Sequence, residues 1–294
     1  MNILIAGATG FLGMKLTERL CDFISPTDTI NLFLLVRNKI KLTEEILYNK
    51  NITICDINSN TLQEKIIDFA PDIIFSTSCC YETEIESLLK TIDANYVFPA
   101  RLLQIAVILQ KHVRFISIGT GLPSFTNSYS LAKRQFAELG FLLHKNSKVD
   151  FLNLELESFY GINEPKDRFI SKSILLLKSN QDLLLTEGTQ KRDFIFIDDL
   201  VEILVFLIDC NLTVLSNKEY NIPIGTGINP SIKEIILFLY NEINSKSNLK
   251  FGAVKNRDNE PNTCADLSVL SKLGFSMPLI HWQDGMKKVI GSIA

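Results

Sequence analysis

Residues 129–133 read Tyr-Ser-Leu-Ala-Lys and follow a loop rich in Pro, Ser, Thr and Asn. On a helix, positions i and i+4 stand one above the other on one face. Tyr129 and Lys133 would then be a phenol and an ammonium side by side, and a neighbouring cation favours the ionised phenol. An unperturbed tyrosine titrates near about 10, so this pairing draws a reluctant acid toward the range where it can exchange a proton at a substrate oxygen. Tyr and Lys at this spacing occur by chance in many helices. Only the elements around the pair give it meaning.

A second chemical motif lies at the start of the chain. The apolar run "NILIA" leads into "GATGFLG" and then into a helical pattern. Glycines at Gly7, Gly10 and Gly13 permit a tight turn, close approach of the backbone to a pyrophosphate, and close helix-on-strand packing. The helix N-terminus adds N–H donors and positive dipole. A dinucleotide site is the expectation, with Gly7, Thr9, Gly10, Phe11, Leu12 and Gly13 as its loop. The next apolar run, "INLFLLV", ends at Val36 and is followed by Arg37, Asn38 and Lys39. An acidic residue there suits the adenosine ribose of NAD, whereas a cation suits a 2′-phosphate. Arg37 therefore favours NADP(H) over NAD(H), with Lys39 in support; a solvated loop charge is the plainer account of the same arginine. Asp56 and Ile57, closing the third run, are placed for the adenine edge, although Asp56 equally suits a turn cap. Thr77, at the end of the fourth, joins the cofactor-binding set. With a dinucleotide present, the chemistry open to Tyr129 is proton transfer coupled to hydride transfer at a carbinol or ketone carbon. Lys133 would also hydrogen-bond the nicotinamide ribose.

These residues need a scaffold that brings strand ends together. Unalternating apolar runs such as "NILIAG", "INLFLLV", "DIIFSTS", "VRFISIG" and "DFLNLEL" fit strands buried on both faces, and helical stretches separate them. The pattern predicts an α/β fold: a doubly wound parallel (Rossmann) sheet with a smaller C-terminal substrate-binding lobe. Residues 1–161 with about 196–228 are expected to form the first, and about 162–195 with 229–294 the second. "EYNIPIG" is expected to return a strand to the main sheet.

In this order the segments resemble the extended short-chain dehydrogenase/reductases that act on nucleotide sugars, the NAD-dependent epimerase/dehydratase family. The resemblance rests on the G-x-x-G-x-x-G loop, Asn95, YSLAK, "FYG" at 159–161, "QKRDFIFIDDL", "YNIPIGTG" and "CADLSVLSKLGF", which together span nearly the whole chain. More narrowly, "FISIGTGLPSFTNSYSLAKRQ", "LELESFYG" and "FGAVKNRDNEPNTCADL" are similar to the CDP-paratose and CDP-abequose synthase group. That likeness implies NADPH-dependent reduction of a 4-keto group on a CDP-linked deoxysugar, for surface polysaccharides such as O-antigen. It implies phosphate-binding roles for Arg192 and Arg257, a substrate contact at Ser158, and a homodimer built through helices of the first domain. Relatives carry Ser or Thr at the position of Ile118; Thr120 is the expected substitute as third catalytic residue, with Ser117 behind it. Dehydratases of the family carry an Asp-Glu pair where this chain has Gly119-Thr120, which disfavours elimination of water. A resident-NAD epimerase fits poorly with Arg37, and a non-catalytic dinucleotide sensor has no use for YSLAK.

Composition narrows the field further. The chain has 294 residues, 46% hydrophobic and 21% charged, with a net charge of −3 and pI ≈ 5.7. Scattered basic residues give no electrostatic case for nucleic acid or an anionic membrane. The longest apolar run, near "LVEILVFLI", is broken by Glu202 and is about half a membrane span. Cys21, Cys55, Cys79, Cys80, Cys210 and Cys264 form no C-x-x-C pair and no metal-ligand spacing with the three histidines. No metal is expected, and reduced thiols in a cytoplasmic protein are.

Overall fold

Five residues, Asn2–Ala6, form the first strand (β1), four of them fully buried, and the chain turns at once into helix α1, Phe11–Cys21. The same alternation continues through β2 (Asn31–Val36), α2 (Glu44–Leu47), β3 (Ile52–Asp56), α3 (Leu62–Phe69) and β4 (Ile73–Ser76). It goes on through α4 (Leu88–Ile92), α5 (Phe98–Ile108), β5 (Val113–Ile118), α6 (Ser128–Asn146) and β6 (Val149–Leu156). This computed structural model describes residues 1–24, 30–38, 42–82, 84–215, 220–255 and 261–293.

β7 (Ser158–Tyr160), α7 (Phe169–Lys178), β8 (Leu183–Leu184), β9 (Phe194–Phe196) and α8 (Ile197–Asp209) come next. The remaining elements are β10 (Asn221–Ile224), α9 (Ile232–Ile243), β11 (Leu249–Lys250), α10 (Ser268–Lys272) and α11 (Trp282–Ser292). Two compact units result: Met1–Glu155 with Ile203–Ile222, and Leu156–Glu202 with Pro223–Ala294. The breaks fall at 155/156, 202/203 and 222/223, where the sequence reading places them at 161/162, 195/196 and 228/229.

The central sheet has seven strands in the order β10-β6-β5-β4-β1-β2-β3. Strands β1 to β6 pair in parallel throughout. Chain order reverses between β1 and β4, and ligands of such sheets bind beyond the carboxyl ends of the strands at that switch. Gly7 follows β1 there, and Thr77 follows β4.

Helix α6 is seated on this sheet by aromatic packing. Phe136 lies 5.7 Å from Phe151 of β6 in an edge contact, and Phe115 of β5 stacks on Phe151 at 5.7 Å. Each of these rings is at most 1% exposed, and burying one contributes about 1.5–3 kcal/mol. A capping box sets where the helix starts: Asn127 Oδ1 accepts from Ser130 N at 2.8 Å, and Ser130 Oγ accepts from Asn127 N at 3.2 Å. Tyr129 is thereby fixed in the first turn, and Lys133 in the next.

In the second unit β7 pairs in parallel with β9, and β8 with β11. Its core gathers Tyr160, Phe196, Ile174, Leu239, Trp282 and Met286. The buried Tyr160 hydroxyl donates to Trp282 O at 2.9 Å, which satisfies the one polar atom on that ring. Among the described residues, no helix is long and apolar enough to cross a membrane.

Candidate active site

Lys133 is 3% exposed, and its ammonium donates to Ile118 O at 2.8 Å and to Ser78 O at 3.5 Å. One residue closes β5; the other lies two residues past β4. The lysine thus ties together the carboxyl ends of β5 and of β4, the latter flanking the switch point. Burial pushes its pKa below the ordinary lysine range, partly opposed by the negative charge that Cys79 can carry. Tyr129, half-buried, stands one helical turn before it on α6.

The glycine loop abuts the same place. Gly7 has φ +87°, and a Cβ there would lie 2.8 Å from Ser78 N and 3.1 Å from Thr77 Oγ1. Only glycine fits both the left-handed backbone and that approach. At Gly13 a Cβ would fall 2.2 Å from Gly7 O, so the close seating of α1 on the loop also requires glycine. Gly10 caps α1 without a side chain, leaving the helix N-terminus without a side-chain cap. Thr77 Oγ1 donates to Ala6 O at 2.8 Å and locks β4 to β1. Ser78 Oγ is buried with no hydrogen-bond partner among the described residues. An orphaned hydroxyl beside a glycine cradle at a bare helix N-terminus fits a dinucleotide with its phosphate and ribose oxygens. Gly7, Thr9, Gly10, Phe11, Leu12 and Gly13 would hold that group, beside Ser78 and Lys133.

At the far side of the loop Arg37 is exposed, directly after β2. Among the described residues its guanidinium makes no hydrogen bond or ion pair. Lys39 lies outside the described residues. Asp56 is exposed and its Oδ1 accepts from Asn58 N at 2.8 Å, the turn cap that its type allows. Ile57 packs partly buried against the sheet core, and its N–H donates to Val36 O at 3.1 Å.

Ile118 contributes its main chain to the site through the bond from Lys133. Thr120 is 5% exposed, and its Oγ1 accepts from Leu122 N at 3.2 Å, which leaves the hydroxyl proton uncommitted by that bond. Arg134, next after Lys133, braces this loop. It donates to Leu122 O at 3.0 Å and Gly121 O at 3.4 Å, and pairs with Glu155 at 2.7 Å.

Two features here escaped sequence reasoning. Residues Asp93–Val97 form a π-helical turn just before α5. Pro99 has no N–H for the carbonyl of Asn95 four residues back, and its ring crowds that carbonyl, so the ladder shifts to the wider register. Asn95, fully buried in that turn, donates to Cys80 O at 2.8 Å and accepts from Cys80 N at 3.4 Å. Tyr81, next along, meets Tyr129 edge to face with centroids 4.8 Å apart. A proline four residues after an asparagine was the available signal for the turn; nothing local marked Tyr81.

In the second unit, the β7–β9 pairing sets Ser158 opposite Phe194, and Ser158 N donates at 3.2 Å to the carbonyl of Asp193, the residue after Arg192. Arg192 is 9% exposed and donates to the carbonyls of Lys191 (2.9 Å) and Pro261. Arg257 lies outside the described residues. Between β9 and Arg192, Asp193 is fully buried and accepts from the N–H groups of Thr226, Gly227 and Ala265 and from the Thr226 hydroxyl. Asp193→Ala strands the three N–H donors, while the Thr226 hydroxyl keeps Ile228 O as an acceptor. The substitution is expected to destabilise the protein by roughly 3 kcal/mol or more, read as the shift in a denaturant unfolding curve. Asp198 lies in the first turn of α8, and Asp266 Oδ1 accepts from Ser268 N at 2.9 Å at the start of α10.

The sheet order, the glycine cradle and a lysine bridging strand ends define a dinucleotide-binding α/β enzyme class. The chain belongs to the NAD dependent epimerase/dehydratase family, whose model matches residues 3–223, and is an NAD(P)-dependent oxidoreductase of that family. It is 30% identical to a protein of Salmonella typhimurium named CDP-abequose synthase, over 98% of this chain and 97% of the other. A Yersinia pseudotuberculosis protein of the same name is 26% identical over 88% of this chain and 90% of its own. Among solved structures, UDP-glucuronic acid 4-epimerase from Bacillus cereus, in complex with UDP-glucuronic acid and NAD, superposes with TM-score 0.82 at 22% identity, covering 100% and 99% of the two chains. UDP-glucose 4-epimerase from Thermotoga maritima gives 0.81 at 15% identity, covering 99% and 98%. The likeness to these two structures establishes the fold.

Proposed function

We propose that the protein is an NADPH-dependent reductase of the 4-keto group of a nucleotide-linked deoxysugar, CDP-linked, made for surface polysaccharide. The observation that carries this reading is Lys133, a buried ammonium at the strand ends beside the glycine cradle, one helical turn from Tyr129. The relatives named CDP-abequose synthase, matched over nearly their full length, support the sugar and the base.

NADPH, when bound, supplies hydride to the keto carbon. Tyr129 gives its proton to the oxygen, so carbonyl, hydride and proton together make the hydroxyl. Lys133 favours the phenolate left behind. Thr120 holds the keto oxygen in place of the hydroxyl side chain that Ile118 lacks. Ser158, Arg192 and Arg257 serve the nucleotide diphosphate, a role the planar guanidinium suits. Asp56, Ile57 and Thr77 line the dinucleotide site.

Reduction rather than elimination is also supported at Gly119. A Cβ there would lie 2.4 Å from Asn153 Oδ1, so an acidic side chain cannot enter at that position without displacing a buried amide. Arg37, exposed at the end of β2, supports NADPH.

The test is direct. Protein, NADPH and CDP-4-keto-3,6-dideoxyglucose are expected to lose nicotinamide absorbance as the sugar is reduced. No loss, where a CDP-abequose synthase consumes the cofactor, overturns the reading. Arg37→Ala is expected to cut the preference for NADPH over NADH by about tenfold or more, the equivalent of about 1.4 kcal/mol and the low end for a charge-assisted hydrogen bond. An unchanged ratio removes Arg37 from the 2′-phosphate site.

A further inference from the structure

The segment following β4 is pinned at three points. Lys133 holds the carbonyl of Ser78, and Asn95 holds both the N–H and the carbonyl of Cys80. The Thr91 hydroxyl donates to Glu82 O at 2.9 Å. Asn95 and Thr91 are both fully buried, and the Asn95 amide also donates to Thr91 O at 2.8 Å. The two side chains therefore form one rigid support on consecutive helical turns, with the π-helical turn giving Asn95 its reach.

Tyr81 is the residue between the two pinned carbonyls. Its backbone is fixed on both sides although the residue is 52% exposed. An exposed aromatic on a loose loop samples many rotamers; on this strap, among the described residues, its ring meets the ring of Tyr129. The centroid separation of 4.8 Å and interplanar angle of 66° fall in the favourable edge-to-face range for aromatic pairs. The phenol of Tyr129 must lie within hydrogen-bond reach of the oxygen it protonates, and small misplacements of such a group are costly.

We propose that Tyr81, carried on the strap pinned by Asn95 and Thr91, is a positioning residue that holds the Tyr129 ring in its proton-donating orientation. This rests on Tyr129 being the proton donor of the reductase. The strap thereby links both partners of the catalytic pair, Lys133 through Ser78 and Tyr129 through Tyr81. The contact needs an aromatic ring at position 81 and does not need its hydroxyl.

Tyr81→Ala is expected to lower kcat about 10- to 100-fold, the scale of an ångström-sized misplacement of a reacting group, with NADPH affinity and thermal midpoint unchanged. Tyr81→Phe is expected to restore most of that loss. A Tyr81→Ala enzyme with wild-type kcat overturns the proposal. So does a Tyr81→Phe enzyme as slow as the alanine variant, since the hydroxyl would then be the acting group. A fall in kcat accompanied by lost NADPH binding assigns Tyr81 to the fold or the cofactor site and overturns it as well. A second readout does not depend on turnover. In protein labelled with 3-fluorotyrosine, the 19F resonance that disappears in Tyr129→Phe should shift and broaden in Tyr81→Ala and stay near its wild-type position in Tyr81→Phe. A Tyr129 resonance that ignores Tyr81→Ala refutes the positioning role even if no substrate is ever reduced. A wild-type enzyme that oxidises no NADPH while the resonance responds leaves the contact standing and the reductase reading at fault.

Discussion

Tyr129→Phe is expected to lower kcat by about 10²- to 10⁴-fold, the usual contribution of a positioned general acid, while NADPH still binds. The substitution removes one oxygen and keeps the ring, so the edge contact with Tyr81 and the first turn of α6 are preserved. The capping box that starts the helix uses Asn127 and Ser130, neither of which touches the deleted hydroxyl. The loss should appear in kcat and kcat/KM alike, the pattern of an interaction made only in the transition state. Single-turnover decay of NADPH absorbance with saturating sugar nucleotide measures the chemical step directly. A Tyr129→Phe enzyme with wild-type turnover would transfer the role of proton donor to another group, with Thr120 next in line because its hydroxyl proton is not used by the bond from Leu122.

Much of the scaffold behind that prediction was readable in the sequence, for a physical reason. Strands of a parallel sheet are covered on both faces, so β1, β2 and β4 appear as near-continuous apolar runs and β5 and β6 as apolar-rich ones with a few polar residues, and the helices between them keep their own period. "EYNIPIG" returned to the sheet as β10, next to β6. The glycine loop was legible because a turn against strand β4 leaves no room for a side chain at Gly7 or Gly13. The second unit was less so: β8 and β11 are two residues each, too short for any periodic signal. "LKFGAV" kept only Leu249–Lys250 as strand. Within the site, Tyr129 and Lys133 could be paired from spacing alone, whereas Tyr81 meets Tyr129 from a distant part of the chain and is brought there by bonds to Asn95 and Thr91. Such contacts depend on the π-helical turn and on backbone groups, which carry no residue-type signature. The same is true of Arg192, whose partners are carbonyls: its charge is visible in sequence, its burial is not.

Lys133 carries the other large expected effect, and it runs in two directions. The ammonium is almost wholly removed from water, with two main-chain carbonyls as its partners and no carboxylate paired with it among the described residues. Desolvation lowers its pKa in the folded protein relative to the unfolded chain. Between the lowered value and the ordinary value near about 10.4, the unfolded chain binds more protons than the folded one, so stability rises with pH across that interval. Below it, the full cost of burying the charge is present. Lys133→Met fills similar volume without the charge. It is expected to lower kcat by about 10²-fold or more and, with the ammonium's desolvation cost removed, to stand higher relative to the wild type in ligand-free stability at neutral pH than at high pH. Denaturant midpoints measured against pH should show the gap between variant and wild type closing as pH climbs toward the ordinary lysine range. A gap that is independent of pH would mean that packing, not the ammonium, sets the difference. If the gap closes while the variant stays inactive, the charge at this position opposes folding and is kept for what it does to Tyr129 and the dinucleotide, the trade between stability and activity that active sites commonly show.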